Sequence, residues 1–244
     1  MVYLFIHFLQ GMPIMKKILF SLLMLCSGSA AWAQKWKTGV TLGGDINKYC
    51  IDTQYQYDWR YHDAKGFTVG VMGQYQFNDW FALRADINYT QKNYKQNRTG
   101  NSFCDNYKHH NSYVQLPLMA SFSFGGERLR GFLNVGAYGA YWAGGRITGT
   151  VPEWMLHDIL DGAMYQTPAP VDQSYRFNSV RDNRIELGAV GGVGLEYSFN
   201  DHWSLQAEMR LYYALTSTTK DYMLKKNPRF NTTTALQLGC AYSF

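Results

Sequence analysis

Apolar and polar residues alternate one by one along much of the chain. In residues 66–77, Phe67, Val69 and Val71 fall on one face of an extended segment, and polar residues fall on the other. Successive side chains of a β-strand point to opposite sides of its sheet, so a period of two predicts strands with one apolar face. The alternation predicts eight strands, at residues 36–46, 66–77, 81–91, 113–124, 131–143, 184–199, 203–216 and about 231–244.

The connections between these predicted strands are alternately short and long. The short ones are residues 78–80, 125–130 and 200–202, and the long ones are 47–65, 92–112, 144–183 and 217–230. Short periplasmic turns and long extracellular loops are typical of a transmembrane β-barrel, and only a closed sheet satisfies its backbone hydrogen bonds in lipid. The predicted fold class is therefore all-β, an eight-stranded antiparallel up-and-down transmembrane β-barrel.

A soluble barrel of the lipocalin type is the alternative, with its apolar face inside and its charges in water. The membrane interpretation is favoured because aromatic residues cluster at one end of the strands and the second face is polar and rich in glycine. After residue 33, charged or amide residues interrupt every apolar window before the roughly 18 residues that a membrane helix needs. The expected periplasmic aromatic girdle comprises Trp36, Phe77, Trp80, Phe124, Phe199, Trp203 and Phe244.

Residues 1–33 have the pattern of a secretory signal peptide. Lys16 and Lys17 precede the apolar run 18–26, and small residues occupy both determining positions before a cleavage site after Ala33. Export followed by a barrel domain at residues 34–244 is the predicted organisation.

The start of the chain leaves two alternatives open. Met15 stands directly before the lysine pair, so residues 1–14 are interpreted as an over-long gene start. Cys26 would be the acylated residue of a lipoprotein, but Leu25 is bulkier than the residue that usually precedes such a site. Removing residues 1–33 lowers the formal charge from +5 to +3, a mild basicity that does not indicate nucleic-acid binding.

Three segments resemble one known family. They are Tyr113–Met119 (YVQLPLM), the glycine-rich run Gly188–Tyr197 and the terminal Ala241–Phe244. They are similar to strands of the PorT-like outer-membrane β-barrel proteins, which are widespread among Bacteroidetes. The resemblance covers nearly the whole chain after residue 33 and implies an outer-membrane barrel, with the namesake's role in maturation or secretion of cell-surface proteins as an expectation. Tyr242 and Phe244 also resemble the C-terminal signal that outer-membrane assembly machinery recognises.

Six charged residues fall on the polar face of the predicted strands. A proton path or a catalytic carboxylate pair is one interpretation, and a salt-bridge network that fills the lumen is the other. We expect the network and no open pore, because the interior of an eight-stranded barrel is just wide enough for side chains. The six residues are Arg84, Asp86, Glu186, Glu196, Glu208 and Arg210.

Histidines in the predicted extracellular loops are the candidates for chemistry. His62, His109, His110 and His157 could serve a rim enzyme acting on lipid or surface protein, with Asp63 or Asp158 as the carboxylate. A metal site needs three or four ligands, and neighbouring histidine side chains diverge. We therefore expect solvated histidines, no catalytic residues, no metal and no cofactor.

The cysteines and the third long loop give two further predictions. Cys50 and Cys104 lie in neighbouring extracellular loops, and a disulfide between them is possible in an oxidising compartment, whereas Cys240 should face lipid. Thr150–Glu153 matches a capping box with proline in the first turn, which predicts a short helix from Trp154 to Gly162.

The sequence thus predicts a non-enzymatic barrel with a plugged lumen. Its extracellular loops would act as a binding, structural or secretion-associated component. The expected partners are outer-membrane lipid, the assembly machinery through the C-terminal strand, and a surface or secretion partner, with no nucleic acid and a monomeric state.

Overall fold

A computed structural model of the chain describes residues 36–51, 58–99, 105–156, 164–220 and 228–244. The predicted signal peptide lies outside these residues. Among those described, no helix is long and apolar enough to cross a membrane. The strands are β1 (Trp36–Ile51), β2 (Trp59–Asn78), β3 (Phe81–Gln91), β4 (Tyr94–Arg98), β5 (Asn106–Gly125), β6 (Leu129–Leu156), β7 (Met164–Ser174), β8 (Ile185–Ser198), β9 (Trp203–Ala214) and β10 (Arg229–Ser243).

Eight of these strands form a closed antiparallel ring. The order is β1-β2-β3-β5-β6-β8-β9-β10, and β10 pairs back onto β1 from Ser243 opposite Lys37 to Arg229 opposite Ile51. Neighbours in sequence are neighbours in the ring, so the topology is up-and-down. The predicted fold class is confirmed.

The apolar face of each strand points outward. Val40 is 60% exposed, Leu195 58% and Leu236 65%, whereas Asn47 and Asn134 on the inner face are 0% exposed. A soluble barrel would show the opposite pattern, so the lipocalin alternative is wrong. The outer band of β5 runs from Val114 to Phe124, and the short turns place its Phe124 end at the periplasmic side.

The sheet continues beyond this band into three of the predicted extracellular loops. β2 already begins at Trp59, β5 at Asn106, and β6 extends to Leu156 rather than ending near residue 143. β4 continues β3 after a break at Lys92 and Asn93, and it pairs with β2 and β5. The predicted long connections therefore overestimate the length of irregular chain.

Residues 146–156 of β6 and 164–174 of β7 form an extension that we call the arm, and it is two-stranded beyond Thr150, where the pairing of β6 with β5 ends. The predicted helix is wrong as far as the structure describes it, because residues 150–156 belong to a strand, and residues 157–163 lie outside the described part. Proline is tolerated both in the first turn of a helix and on the unpaired edge of a strand. At either position the backbone N–H, which proline lacks, would have no backbone acceptor. The local pattern could not distinguish these two structures, and pairing with the distant β7 decided between them.

Proline lies on both edges of the arm where the described residues show no further pairing. The N–H of Tyr175 donates to the carbonyl of Gly145 at 2.8 Å, so alternate residues of β7 direct their nitrogens toward β6. Pro168 and Pro170 occupy the other positions, where an N–H would face the free edge, and Pro152 lies directly opposite Pro168. Proline on an edge discourages pairing with further strands.

Candidate functional site

Four of the six predicted lumen charges form one cluster at the centre of the barrel. Arg84 and Asp86 come from β3, and Glu208 and Arg210 come from β9 on another part of the ring. Arg84 Nε donates to Asp86 Oδ1 at 2.9 Å, and Arg210 Nη1 lies 2.6 Å from Asp86 Oδ2. Glu208 Oε2 completes the cluster at 2.7 Å from Arg210 Nη2 and 3.3 Å from Arg84 Nη1.

Neutral side chains satisfy further atoms of this cluster. Asn134 Nδ2 donates to Glu208 Oε1 at 2.7 Å, and Arg84 Nη1 donates to Gln206 Oε1 at 3.2 Å. The side chains of the four charged residues are at most 3% exposed, so their charges are stabilised by one another rather than by water. The centre of the barrel is therefore filled by paired charges.

A second cluster surrounds the predicted lumen residue Glu186 nearer the extracellular end. The Nζ of Lys92 contacts Glu186 Oε1, and Tyr138 Oη donates to the same oxygen at 2.7 Å. Asn231 Nδ2 donates to Glu186 Oε2 at 2.7 Å. The Lys92 ammonium also lies 5.1 Å and 5.0 Å from the ring centroids of Tyr113 and Tyr138, within the range of cation–π attraction.

Sequence reasoning missed Lys92 because it was assigned to a long loop. Its position nevertheless continues the inward series of Arg84, Asp86, Asn88 and Thr90 by another step of two. Extending the period past the predicted end of the strand would have found it.

The sixth predicted charge, Glu196, pairs at the periplasmic end. Lys37 Nζ contacts Glu196 Oε1, and Gln206 Nε2 donates to Glu196 Oε2 at 3.3 Å. Because Gln206 also contacts Arg84, Glu196 is linked to the central cluster. Lys37 was another residue not predicted, although it lies on the inward face of β1.

The glycine-rich strand β8 makes room for these side chains. A Cβ atom at Gly192 would lie 2.4 Å from Glu208 Oε1, and at Gly194 2.4 Å from Cζ of Phe132. Both distances are too short for non-bonded atoms, so glycine is needed where β8 passes Glu208 and Phe132.

Aromatic residues cover the lumen at the extracellular mouth. Trp142 stacks on Tyr113 with ring centroids 5.9 Å apart and contacts Tyr175 and Phe177 at 5.0 Å each. The latter two follow the arm, so the chain returning from β7 folds over the barrel.

The predicted histidines do not form a common site. His109 stacks on the ring of Tyr94 at 4.3 Å, and burial, then Arg229 and His110, lower its pKa to about 4. His110 lies 3.4 Å from the hydroxyl of Thr148, and His62 is exposed on β2. His157 and its candidate carboxylate Asp158 lie outside the described residues. In the described ranges no group of three His, Cys, Asp or Glu side chains could hold a metal.

The cysteines and the C-terminal strand occupy distinct places. Cys50 lies near the extracellular end of β1, but Cys104 lies outside the described residues, so the disulfide stays a prediction. Cys240 is opposite Val40 on the outward face. Tyr242 packs edge-on against Trp203 and Phe244 with centroids 5.1 and 5.2 Å apart, at the end of the predicted periplasmic girdle.

An outward apolar band, a closed ring of eight strands and a filled polar interior define a transmembrane β-barrel of a bacterial outer membrane. The family model described as "Outer membrane protein beta-barrel domain" matches residues 32–220, and the chain belongs to this family. A comparison with curated proteins found no significant match.

Solved outer-membrane proteins are similar to this chain in structure. OprG from Pseudomonas aeruginosa has a TM-score of 0.49 at 13% identity, with 87% of this chain and 96% of that chain covered. Ail, the attachment invasion locus protein of Yersinia pestis, has a TM-score of 0.42 at 13% identity, with coverage of 86% and 99%. The outer membrane protease OmpT from Escherichia coli has a TM-score of 0.47 at 9% identity, with coverage of 87% and 97%.

Proposed function

We propose that this barrel is a non-enzymatic, closed outer-membrane protein that uses its extracellular strands as a binding platform for a surface or secretion partner. The observation that carries the proposal is the continuation of the sheet above the apolar band. The 28-residue strand β6 extends far past the band and, with β7, forms the arm. A paired, hydrogen-bonded arm is a more rigid element for binding than an irregular loop of the same length.

The filled lumen supports a closed barrel rather than a channel. The central cluster, the Lys92–Glu186 pair and the aromatic cover at the mouth occupy successive levels of the interior. Moving ions through this interior would require separating buried ion pairs, which is costly. We therefore expect no stable large conductance from the purified protein in planar bilayers.

The resemblance of Tyr113–Met119 and Gly188–Tyr197 to PorT-like strands supports a finer proposal. The partner would be a component of secretion or maturation of cell-surface proteins. Tyr242 and Phe244 would serve earlier, as the contact for the outer-membrane assembly machinery. An unchanged set of cell-surface proteins after deletion of the gene would contradict the secretion role.

Shortening the arm tests the binding platform. Replacing residues 152–168 with Asn-Gly would close a two-residue hairpin at the opposed pair Val151 and Ala169, beyond Thr150, where the pairing of β6 with β5 ends. The shortened barrel should keep its heat-modifiable gel mobility, because the ring pairing is untouched, and should lose cross-linking to its partner in cells. The full-length Glu153→Gln variant, changed at an exposed arm residue, is the control and should retain the partner.

Equal cross-linking of a folded, shortened barrel would contradict the proposal. A stable large conductance of the wild-type protein would contradict its closed state. The rim-enzyme alternative has no specific support among the described residues, because none of their histidines hydrogen-bonds to a carboxylate.

A further inference from the structure

Basic side chains meet on the outer wall of the barrel, on the extracellular side of the lipid-facing band. Lys95 of β4 lies directly opposite Lys108 of β5, and His62 of β2 lies directly opposite Lys95 on the other side. In the next row His110 is opposite Arg146. We call these five residues the basic patch.

The basic patch faces away from the barrel axis. Tyr94 precedes Lys95 by one residue, and His109 follows Lys108 by one residue. The rings of Tyr94 and His109 stack on each other inside the mouth, where Tyr94 also stacks on Tyr49 with ring centroids 4.1 Å apart. Neighbouring residues of a strand point to opposite faces, so Lys95 and Lys108 point outward.

Among the residues that the structure describes, no carboxylate forms an ion pair with Lys95 or Lys108 of the basic patch. Like charges directly opposite each other on antiparallel strands are destabilising. The acid next in the row, Asp172, already accepts from Arg146 Nε at 2.6 Å and from Arg146 Nη2 at 2.5 Å. The positive field acts on His110, whose pKa is lowered by burial and then by Lys108 and Arg146. An anion from outside the chain would relieve the repulsion.

The height of the basic patch indicates where that anion comes from. Lys108 is six residues beyond Val114, the last apolar residue of the outer band of β5. At about 3.3 Å per residue and a tilt of roughly 40°, its Cα lies about 15 Å above the band. A lysine stem can bend back toward the membrane, which brings the ammonium to the headgroup layer of the outer leaflet.

We propose that the basic patch binds the phosphorylated headgroup of a glycolipid in the outer leaflet, with Lys95 and Lys108 on one phosphate. Thr148, which is opposite Lys108 on β6, supplies a hydroxyl in the same row. Arg146 and Thr148 lie at the base of the arm, but the proposal does not require the arm to have a protein partner.

The test measures binding of a fluorescent rough-type lipopolysaccharide to the purified barrel in phosphatidylcholine nanodiscs. Because both lysines would donate to the same phosphate, Lys95→Gln/Lys108→Gln should weaken binding about 30-fold, which corresponds to about 2 kcal/mol. The control Lys48→Gln/Lys65→Gln removes the same charge from exposed residues that are opposite Thr232 and Ile46, and should change binding less than about threefold. Dephosphorylated glycolipid should bind the wild-type protein as weakly as the Lys95/Lys108 variant binds the phosphorylated form.

Three results would overturn the proposal. Equal losses in the two double variants would indicate general electrostatics rather than a site. Displacement of the glycolipid by an equal concentration of inorganic pyrophosphate would indicate a soluble anion as the ligand. Failure of Lys95→Gln/Lys108→Gln to fold, judged by heat-modifiable mobility, would contradict the premise that the opposed lysines repel each other.

Discussion

Removing the ammonium group of Lys92 should strongly destabilise the barrel. The Lys92 side chain is 0% exposed. Its ammonium group forms an ion pair with the Glu186 carboxylate in the upper lumen. Lys92→Met keeps the length and apolar stem of the side chain, but among the described residues it leaves the carboxylate with Tyr138 and Asn231 as hydrogen-bond donors.

The expected loss is about 3–5 kcal/mol in the free energy of unfolding, the usual cost of leaving one member of a buried ion pair alone. The loss of two cation–π contacts falls within the same range. The double variant Lys92→Met/Glu186→Gln leaves neither member of this ion pair charged and unpaired. Its loss in free energy of unfolding should therefore be smaller than that of Lys92→Met by about 2 kcal/mol or more. The exposed pair provides the comparison: Arg146→Met should cost less than about 1 kcal/mol.

Equilibrium unfolding in urea, followed by tryptophan fluorescence in detergent micelles, measures these differences. The slope with denaturant should be unchanged among the variants, because the surface exposed on unfolding is the same. A loss for Lys92→Met no larger than that for Arg146→Met would refute the reasoning, as would a double variant less stable than Lys92→Met.

Three further predictions concern other parts of the molecule. The pKa of His109 is lowered from its ordinary value of 6.5 to about 4, so the unfolded chain binds the proton first and wild-type stability should fall as pH drops from about 6.5 to about 4. His109→Phe should remove that slope, at most about 3 kcal/mol, in urea titrations at a series of pH values. Gly192→Ala should displace the Glu208 carboxylate and cost about 1–3 kcal/mol, and an unchanged urea midpoint would contradict the crowding. Pro168→Thr/Pro170→Thr restores two N–H donors to the free arm edge and should increase self-association in light scattering, whereas a monodisperse variant would show that the prolines do not protect it.

The sequence predicted the barrel because alternation is a property of the lipid-facing wall itself. Val40, Val69 and Leu116 must be apolar where they face hydrocarbon, and the residues between them must be polar or small where they face the lumen. Above the membrane both faces meet water, so Lys95 or Thr148 gives no such signal. The strand ends were therefore underestimated on the extracellular side.

The predicted helix failed for a related reason. The segment around Pro152 satisfies a local rule for a helix start, but its structure depends on β7, which follows residue 163. Local rules cannot register a partner that lies further along the chain.

The inward direction of Arg84, Asp86, Glu208 and Arg210 could be predicted, because facing depends only on odd and even positions along a strand. Their contacts could not, because β3 and β9 are separated by more than 100 residues and meet only across a closed ring. The pairing of Lys92 with Glu186 depends on closure in the same way. The sequence by itself determined which side chains face hydrocarbon, since that depends on a period of two. Only the tertiary structure decided which charges neutralise one another, since this depends on the register and curvature of strands far apart in the chain.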